Sequence, residues 1–301
     1  MFETVLVATD FSASSDAVVT LAGQLRKLGT HKIILAHALG NDNLDYLVDT
    51  LRSLYEPRIQ EQKATLEGFG YQVSFVIASG RPESEIVRLA AQKAVSLIVV
   101  GSHGASLSRQ VLLSAAGFGV VLGNVAFGII SRATLPVLIL PLRAVQGEVR
   151  STVRADGLFN SILHPTDFSD TAERAFATVA EIVGSTAVSR ATLLHVQDTE
   201  RVTSHLRDRL DEFNRIDKER LDRLAKRLKE KGHTDVRTEI AHGSPIQEIL
   251  KKSKEMSKEG CTLTIMGSQG RGYISEIFLG SVSHNVVRHS ACPVLLVPAV
   301  R

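Results

Sequence analysis

The sequence predicts two tandem α/β domains, each a doubly wound, five-stranded parallel sheet with helices on both faces. Short, nearly continuous apolar segments alternate with longer amphipathic ones, as expected for buried parallel strands joined by helices. Three sequence blocks also occur twice in the same order, which indicates a duplicated domain. The chain has 301 residues, a length that suits two domains of about 150 residues each.

The repeated blocks define the two copies. Thr9–Ser12 (TDFS) recurs as Thr166–Ser169, Gly101–Gly104 (GSHG) recurs as Gly267–Gly270 (GSQG), and Leu135–Ile139 (LPVLI) recurs as Cys292–Leu296 (CPVLL). A residue kept in one copy and lost in the other therefore indicates which copy retains a function.

The first copy reads as alternating strands and helices. Ser12 or Ser14 can cap the first helix and Gly29 can end it, while Pro82 suits the start of a later helix. The predicted elements are strand Thr4–Ala8, helix Ser14–Leu28, strand Lys32–Ala38, helix Asn43–Glu67, strand Gln72–Ala78, helix Pro82–Lys93, strand Leu97–Val100 and, after an apolar helix, strand Val137–Leu140.

The second copy repeats this order. The predicted elements are strand Ser161–His164, helix Asp170–Val183, strand Thr192–Val196, helix Thr203–Lys231, strand Val236–Ala241, helix Pro245–Lys258, strand Leu263–Met266, helix Ser281–His289 and strand Val294–Val297. Residues 143–157 are polar, charged and without periodicity, so we expect domains at residues 1–142 and 158–301 joined by a linker.

Composition restricts the classes of function. The formal net charge is only +3 and 44% of residues are hydrophobic, which argues against a strongly basic nucleic-acid-binding surface. Cys261 and Cys292 lie in apolar runs and have no partners in the first copy, so we interpret them as buried thiols of a reducing compartment. The first strand begins at once without a signal-peptide pattern, and we therefore expect a cytoplasmic protein.

One uncharged stretch, from Gln110 to Ser131, is long enough to span a bilayer. We interpret it as a buried helix with a glycine-rich loop and expect no transmembrane span, because a span would separate the last strand of the first copy from its sheet. The role of the apolar segment Val111–Ile130 stays open between filling the core and contacting another surface.

In an open parallel sheet, ligands bind beyond the carboxyl ends of the strands, where the strand order reverses. In the second copy, Pro165, Thr166 and Asp167 end the first strand, and a glycine loop follows the fourth strand. Glycines at 267, 270 and 280 let the backbone approach a ligand closely. Ser281 then begins a helix whose amino end favours phosphate, whereas a carboxylate at Asp167 suits a ribose hydroxyl or a base.

These motifs resemble the universal stress protein family in its tandem two-domain form, with a fold of the HUP or adenine nucleotide α-hydrolase-like type. In that family Gly-x2-Gly-x9-Gly-Ser/Thr is associated with ATP binding, so the resemblance implies ATP, with or without Mg²⁺, in the second copy. It implies that Asp167 and Val196 hold the adenosine end. The full set of site residues that it implies is Pro165, Thr166, Asp167, Val196, Met266, Gly267, Gly270, Arg271, Gly280, Ser281, Val282 and Ser283.

The first copy departs from this motif. Counting nine residues after Gly104 reaches Ser114-Ala115 instead of Gly-Ser. Aligning from the last strand instead places Gly123-Asn124 opposite Gly280-Ser281, and the intervening stretch is then nine residues longer. Ala105 also stands where the second copy has Arg271, so we expect the first copy to bind ATP poorly or not at all.

Three functions are compatible with this pattern. The first is an ATP-binding stress-response protein that acts as a nucleotide-dependent switch or binding module. The second is slow ATP hydrolysis or self-phosphorylation, although no residue qualifies as a catalytic base and no metal-ligand cluster is apparent. The third is a nucleotide-independent interaction scaffold. The resemblance implies pairing of the two copies through their last strands, and it leaves a protein partner and a homodimer open.

Overall fold

The computed structural model describes residues 1–40, 48–103, 122–145, 148–151, 153, 157–185, 188–199, 210–233, 235–260, 262–270 and 279–299. The chain divides into two compact units, Met1–Asp156 and Gly157–Arg301. Each unit contains a five-stranded parallel sheet with helices, which confirms the predicted fold class.

The first unit follows the predicted alternation of strands and helices. Its elements are β1 (Thr4–Ala8), α1 (Ala13–Ala22), β2 (Lys32–Ala38), α2 (Val48–Gly68), β3 (Gln72–Ala78), α3 (Pro82–Gln92), β4 (Leu97–Gly101), α4 (Asn124–Arg132), β5 (Val137–Leu140), β6 (Leu142–Val145) and β7 (Glu148–Ser151). The main sheet has the order β3-β2-β1-β4-β5. The strand order therefore reverses between β1 and β4.

The second unit repeats this topology. Its elements are β8 (Ser161–Pro165), α5 (Asp170–Ser185), β9 (Arg190–Gln197), α6 (Leu210–Glu230), β10 (Val236–His242), α7 (Pro245–Met256), β11 (Thr262–Gly267), α8 (Ser281–His289) and β12 (Val294–Val297). The sheet order β10-β9-β8-β11-β12 reverses between β8 and β11.

Helices cover both faces of each sheet. In the first unit α1 packs against α2, and α3 packs against α4. Because the strand order advances in opposite directions on the two sides of β1, right-handed crossovers place these two pairs on opposite faces. Strands β4 and β5 are almost wholly buried, as parallel strands covered on both faces should be.

Helix α1 ends earlier than the sequence predicts. It stops at Ala22, and a 3₁₀ segment continues to Leu28. The Tyr71 hydroxyl donates to the carbonyl oxygens of Ala22 and Gly23 at 2.9 and 3.0 Å, and it accepts from the Arg26 N–H at 2.8 Å. A side chain from a distant part of the sequence therefore takes the place of the next helical hydrogen bonds.

Other boundaries also differ from the predictions. The stretch predicted as a linker contains an antiparallel hairpin of β6 and β7, and β7 contacts α1. Helix α7 ends at Met256 and continues as a short 3₁₀ turn. The predicted starts of α2 and α6 lie outside the described residues. Among the described helices, none combines the length and apolar character that a membrane crossing needs.

Candidate functional site

The turn after β8 positions the carboxylate of Asp167. The Thr166 N–H donates to the carbonyl of Leu194 at 2.8 Å, and the Thr166 hydroxyl oxygen accepts from the Phe168 N–H at 3.0 Å. Phe168 adopts φ 59°, as its counterpart Phe11 does in the first unit. This left-handed conformation is rare for a bulky residue, and its occurrence in both units shows that the turn is a fixed feature of the fold.

Asp167 lies directly beside the glycine loop. Its Oδ1 accepts hydrogen bonds from the N–H and hydroxyl of Ser169 at 3.1 and 2.6 Å. A Cβ atom added at Gly270 would lie 2.6 Å from Asp167 Oδ2. The end of β8 and the loop after β11 therefore meet, as the position of the strand reversal predicts.

The amino end of α8 completes this arrangement. The Gly280 N–H donates to the Ser268 carbonyl at 2.8 Å, and a Cβ atom at Gly280 would lie 3.7 Å from the Gly270 nitrogen. No side chain caps the helix. The backbone N–H groups of residues 281–283 lack partners within the helix, so this end can accept an anion or another acceptor.

Ser283 lies in the first turn of α8. Its side chain is buried, and its hydroxyl donates to the Gly267 carbonyl at 2.8 Å. The hydroxyl therefore joins α8 to the end of β11, and only the backbone N–H of Ser283 is left as a donor to phosphate.

The remaining predicted residues occupy the ends of neighbouring strands. Pro165 and Met266 are buried, and Val196 is half-buried near the end of β9. Arg271 lies outside the described residues. The structure thus brings Asp167, Gly270 and Gly280 together, with the other described candidates at the surrounding strand and helix ends.

The first unit has a cavity of about 410 Å³ at the equivalent position, within the size range of about 300–1,000 Å³ typical of ligand pockets. Its described lining contains the counterparts of ten predicted residues. These are Ala8, Thr9, Asp10, Ala38, Val100, Gly101, Gly123, Asn124, Val125 and Ala126. The counterparts of Gly270 and Arg271 lie outside the described residues, so every described counterpart lines the cavity.

The structure favours one of the two sequence alignments of the first copy. The Gly123 N–H donates to the Ser102 carbonyl at 2.8 Å, as the Gly280 N–H does to Ser268. Gly123 and Gly280 have similar extended conformations before α4 and α8, with φ, ψ of −68°, 151° and −60°, 145°. Gly123-Asn124 is therefore the counterpart of Gly280-Ser281, and the additional residues of the first copy precede it.

Asp10 is held differently from Asp167. Its Oδ1 accepts from the Ser15 hydroxyl as well as from Ser12, whereas the second unit has Ala172 in place of Ser15. This additional donor engages the carboxylate within its own turn. The aligned sequences show Ala172 at the position of Ser15, but they do not show that the Ser15 hydroxyl contacts Asp10.

Two histidines near the strand ends are kept neutral by their surroundings. Burial lowers the pKa of His103 to about 4. Burial also lowers the pKa of His164 to about 4, and His164 Nδ1 lies 2.9 Å from the Ile265 carbonyl. Groups of three or more potential metal ligands are absent from the part of the chain that the structure describes.

Sequence comparisons match each half of the chain separately. The model of the Universal stress protein family matches residues 1–141 and 158–298. The universal stress protein MJ0577 of Methanocaldococcus jannaschii is 33% identical over 159 residues, covering 46% of this chain and 95% of the relative. The universal stress protein YxiE of Bacillus subtilis is 32% identical over 154 residues, covering 46% of this chain and 99% of the relative.

A solved structure resembles the whole chain. A universal stress protein from Archaeoglobus fulgidus aligns with 99% of both chains at a TM-score of 0.70 and 24% identity, which supports the fold. Because the family model covers both halves and nearly the entire chain, this protein belongs to the universal stress protein family and carries two copies of the family's domain.

Proposed function

We propose that the protein binds ATP in its second unit and acts as a nucleotide-dependent switch or binding module in a stress response. The observation that carries this proposal is the convergence of Asp167, Gly270 and Gly280 where the strand order reverses. The amino end of α8 offers backbone donors to phosphate oxygens. The Asp167 carboxylate, which phosphate would repel, suits the ribose hydroxyls.

Two differences support the second unit as the ATP site. In the first unit Ser15 engages Asp10, and the second unit has no hydroxyl at that position. The described lining of the first cavity contains no lysine or arginine, whereas the second copy has Arg271 next to its glycine loop. Hydrogen bonds to charged groups contribute about 1.5–3 kcal/mol each, so a few such differences change affinity by orders of magnitude.

Mg²⁺ can accompany the nucleotide without a dedicated protein cage. Mg²⁺ in nucleotide sites is commonly held by substrate phosphates, water and one or two carboxylates. The described residues form no cluster of three or more potential ligands. We therefore expect the ATP phosphates to supply most of the non-water ligands of Mg²⁺. Mg²⁺ should then bind together with ATP and not by itself.

Two equivalent glycines provide a matched test. Gly280→Val places side-chain atoms at the amino end of α8, and Gly123→Val does the same at α4. Both backbones are extended, a conformation that valine adopts readily. Isothermal titration with ATP–Mg²⁺, together with chromatography of nucleotide released on heating, measures the effect. We expect Gly280→Val to abolish binding and Gly123→Val to retain it.

The contrary outcomes separate the alternative functions. If Gly123→Val lost ATP and Gly280→Val kept it, the nucleotide would bind in the first unit and this proposal would be wrong. Stoichiometric ADP with accumulating phosphate would support slow hydrolysis instead of a binding role. If the wild-type protein carries no nucleotide and does not bind added ATP–Mg²⁺, the remaining function is the nucleotide-independent interaction scaffold.

A further inference from the structure

The cavity of the first unit contains a buried imidazole with an unsatisfied nitrogen. His103 lines this cavity and is only 6% exposed. Its Nδ1 lies 3.0 Å from Ser102 Oγ, whereas its Nε2 is buried and has no hydrogen-bond partner within the described part of the chain. Buried polar groups are nearly always hydrogen-bonded. A single water needs only about 10–15 Å³, so a cavity of about 410 Å³ has room for a small molecule that supplies the missing partner.

A ligand hydroxyl suits this nitrogen in either tautomer of the ring. Burial lowers the pKa of His103 to about 4, so at pH 7 the ring carries one N–H and one bare nitrogen. Ser102 Oγ accepts from the Leu142 N–H at 3.0 Å, and it can either donate to His103 Nδ1 or accept from it. Nε2 is therefore a donor in one tautomer and an acceptor in the other. A hydroxyl group can pair with both.

His103 lies where the second unit is expected to hold phosphate. A Cβ atom added at Gly123, before the amino end of α4, would lie 3.6 Å from His103 Cα. The same atom at Gly280, before α8, would lie 3.3 Å from Gln269 Cα. His103 and Gln269 are therefore equivalent, and the first unit has a neutral imidazole beside the helix end that would face a triphosphate.

The charges around the cavity disfavour an anionic ligand. The Asp10 carboxylate lines the cavity, and the described lining contains no lysine or arginine. His37 also lines it, but burial lowers the pKa of His37, so this ring adds no positive charge at pH 7. An anionic group would be buried beside a carboxylate without a counter-ion, which is far more costly than burying a hydrogen-bonded hydroxyl. The backbone donors at the amino end of α4 can serve an uncharged oxygen as well.

Apolar side chains supply other walls of the cavity. Val18 of α1, Ile86 of α3, Val100 of β4 and Ile129 of α4 line it, and all four are buried. Apolar walls with a few polar groups are typical of sites for small ring compounds. A carboxylate such as Asp10 accepts hydrogen bonds from hydroxyl groups. A flat ring joined to a hydroxylated group, which is the chemistry of a nucleoside, matches both features.

We propose that the cavity of the first unit is a second binding site, which takes an uncharged nucleoside and rejects its phosphorylated forms, with His103 as the residue that recognises a ligand hydroxyl. This site depends on the first cavity alone and not on ATP binding by the second unit. The two copies of the domain then bind ligands that differ in charge.

Isothermal titration with adenosine tests the site in the matched glycine variants. Gly123 lines the cavity, so we expect Gly123→Val to lose adenosine binding and Gly280→Val to retain one adenosine site. Adenosine monophosphate, titrated into Gly280→Val, should bind at least about tenfold more weakly than adenosine, because its phosphate lacks a counter-ion. Absence of adenosine binding to the wild type, loss of it in Gly280→Val alone, or equal affinity for the monophosphate overturns this proposal.

Substitutions at His103 test the recognition of the hydroxyl without blocking the cavity. His103→Phe keeps a flat ring but removes both nitrogens, and we expect adenosine affinity to fall about threefold to tenfold, the equivalent of one neutral hydrogen bond. His103→Gln introduces the side chain of the second unit, whose amide can donate and accept, and it should recover part of the affinity. Gln269→Phe is the matched control and should keep the wild-type adenosine affinity.

Nuclear magnetic resonance of the ring nitrogens gives a signal that a purely structural histidine would not give. The His103 Nε2 resonance should shift when adenosine is added to the wild type, but not when it is added to Gly123→Val. An Nε2 resonance indifferent to adenosine, or unchanged adenosine affinity in His103→Phe, overturns the proposed role of His103. Adenosine binding in the first unit of a protein that binds no ATP would contradict the proposed function alone.

Discussion

Gly270→Ala tests the contact between the glycine loop and the Asp167 turn. The added carbon would lie 2.6 Å from Asp167 Oδ2, so the carboxylate must move. Its Oδ1 accepts two hydrogen bonds from Ser169, at 3.1 and 2.6 Å. Partial loss of these bonds costs about 1–3 kcal/mol of unfolding free energy, since hydrogen bonds to charged groups contribute about 1.5–3 kcal/mol each.

The effect on ATP should be at least as large. Moving Asp167 removes the predicted acceptor of the ribose hydroxyls, and each 1.4 kcal/mol lost corresponds to about a tenfold weaker affinity. We therefore expect Gly270→Ala to bind ATP at least about tenfold more weakly by isothermal titration, with a moderate loss of stability in urea unfolding.

Gly184→Ala is the matched control for this change. Gly184 lies near the end of α5, and its added carbon would meet only Lys231 Cδ, at 4.0 Å. Replacing a helical glycine by alanine stabilises by up to about 1 kcal/mol, so this variant should keep full ATP affinity. If Gly270→Ala kept both its ATP affinity and its unfolding free energy, the inferred contact between Gly270 and Asp167 would be wrong.

Three further substitutions test individual contacts by urea unfolding. Ser283→Ala should lose about 1–2 kcal/mol because it leaves the buried Gly267 carbonyl without its donor; unchanged stability would contradict this role. Tyr71→Phe should lose a similar amount of stability in the first unit, because its hydroxyl donates to the carbonyls where α1 ends. Burial lowers the pKa of His164 to about 4, whereas an unfolded histidine has a pKa of about 6.5. Below pH 6.5 the unfolded state therefore binds a proton that the folded state does not, which costs about 2 kcal/mol at pH 5. Between pH 7 and pH 5, the unfolding free energy of His164→Leu should therefore fall by about 2 kcal/mol less than that of the wild type. An equal fall in the two proteins would contradict the lowered pKa of His164.

Much of the fold was predictable from local sequence patterns. All ten strands of the two parallel sheets were predicted from short apolar runs, because parallel strands must be apolar on both faces, and Pro82 and Pro245 begin their helices as expected. The boundaries of Gln72–Ala78, Ser281–His289 and Val294–Val297 agree with the structure. Local patterns therefore sufficed where burial alone decides the element.

The exceptions depend on contacts between distant residues. The early end of α1 is set by Tyr71, 49 residues from its acceptor Ala22. The hairpin within the predicted linker packs against α1, a contact that residues 142–151 do not specify alone. The role of the Ser283 hydroxyl likewise depends on Gly267, 16 residues away. No local periodicity encodes such contacts.

The candidate site was likewise only partly predictable from the sequence. The motif spacing predicted that Asp167 and the glycine loop would come together, and it also predicted a difference between the two copies. It did not predict the Ser15 contact to Asp10 or the cavity in the first unit. Each of these depends on which helix packs over a strand end.

A crystal structure of the full chain grown with ATP and Mg²⁺ tests the central claim most directly. We predict a triphosphate at the amino end of α8, with its ribose near Asp167, and no triphosphate in the cavity beside Asp10. A triphosphate bound in the first unit, with the second unit empty, would contradict the proposed division between the two copies.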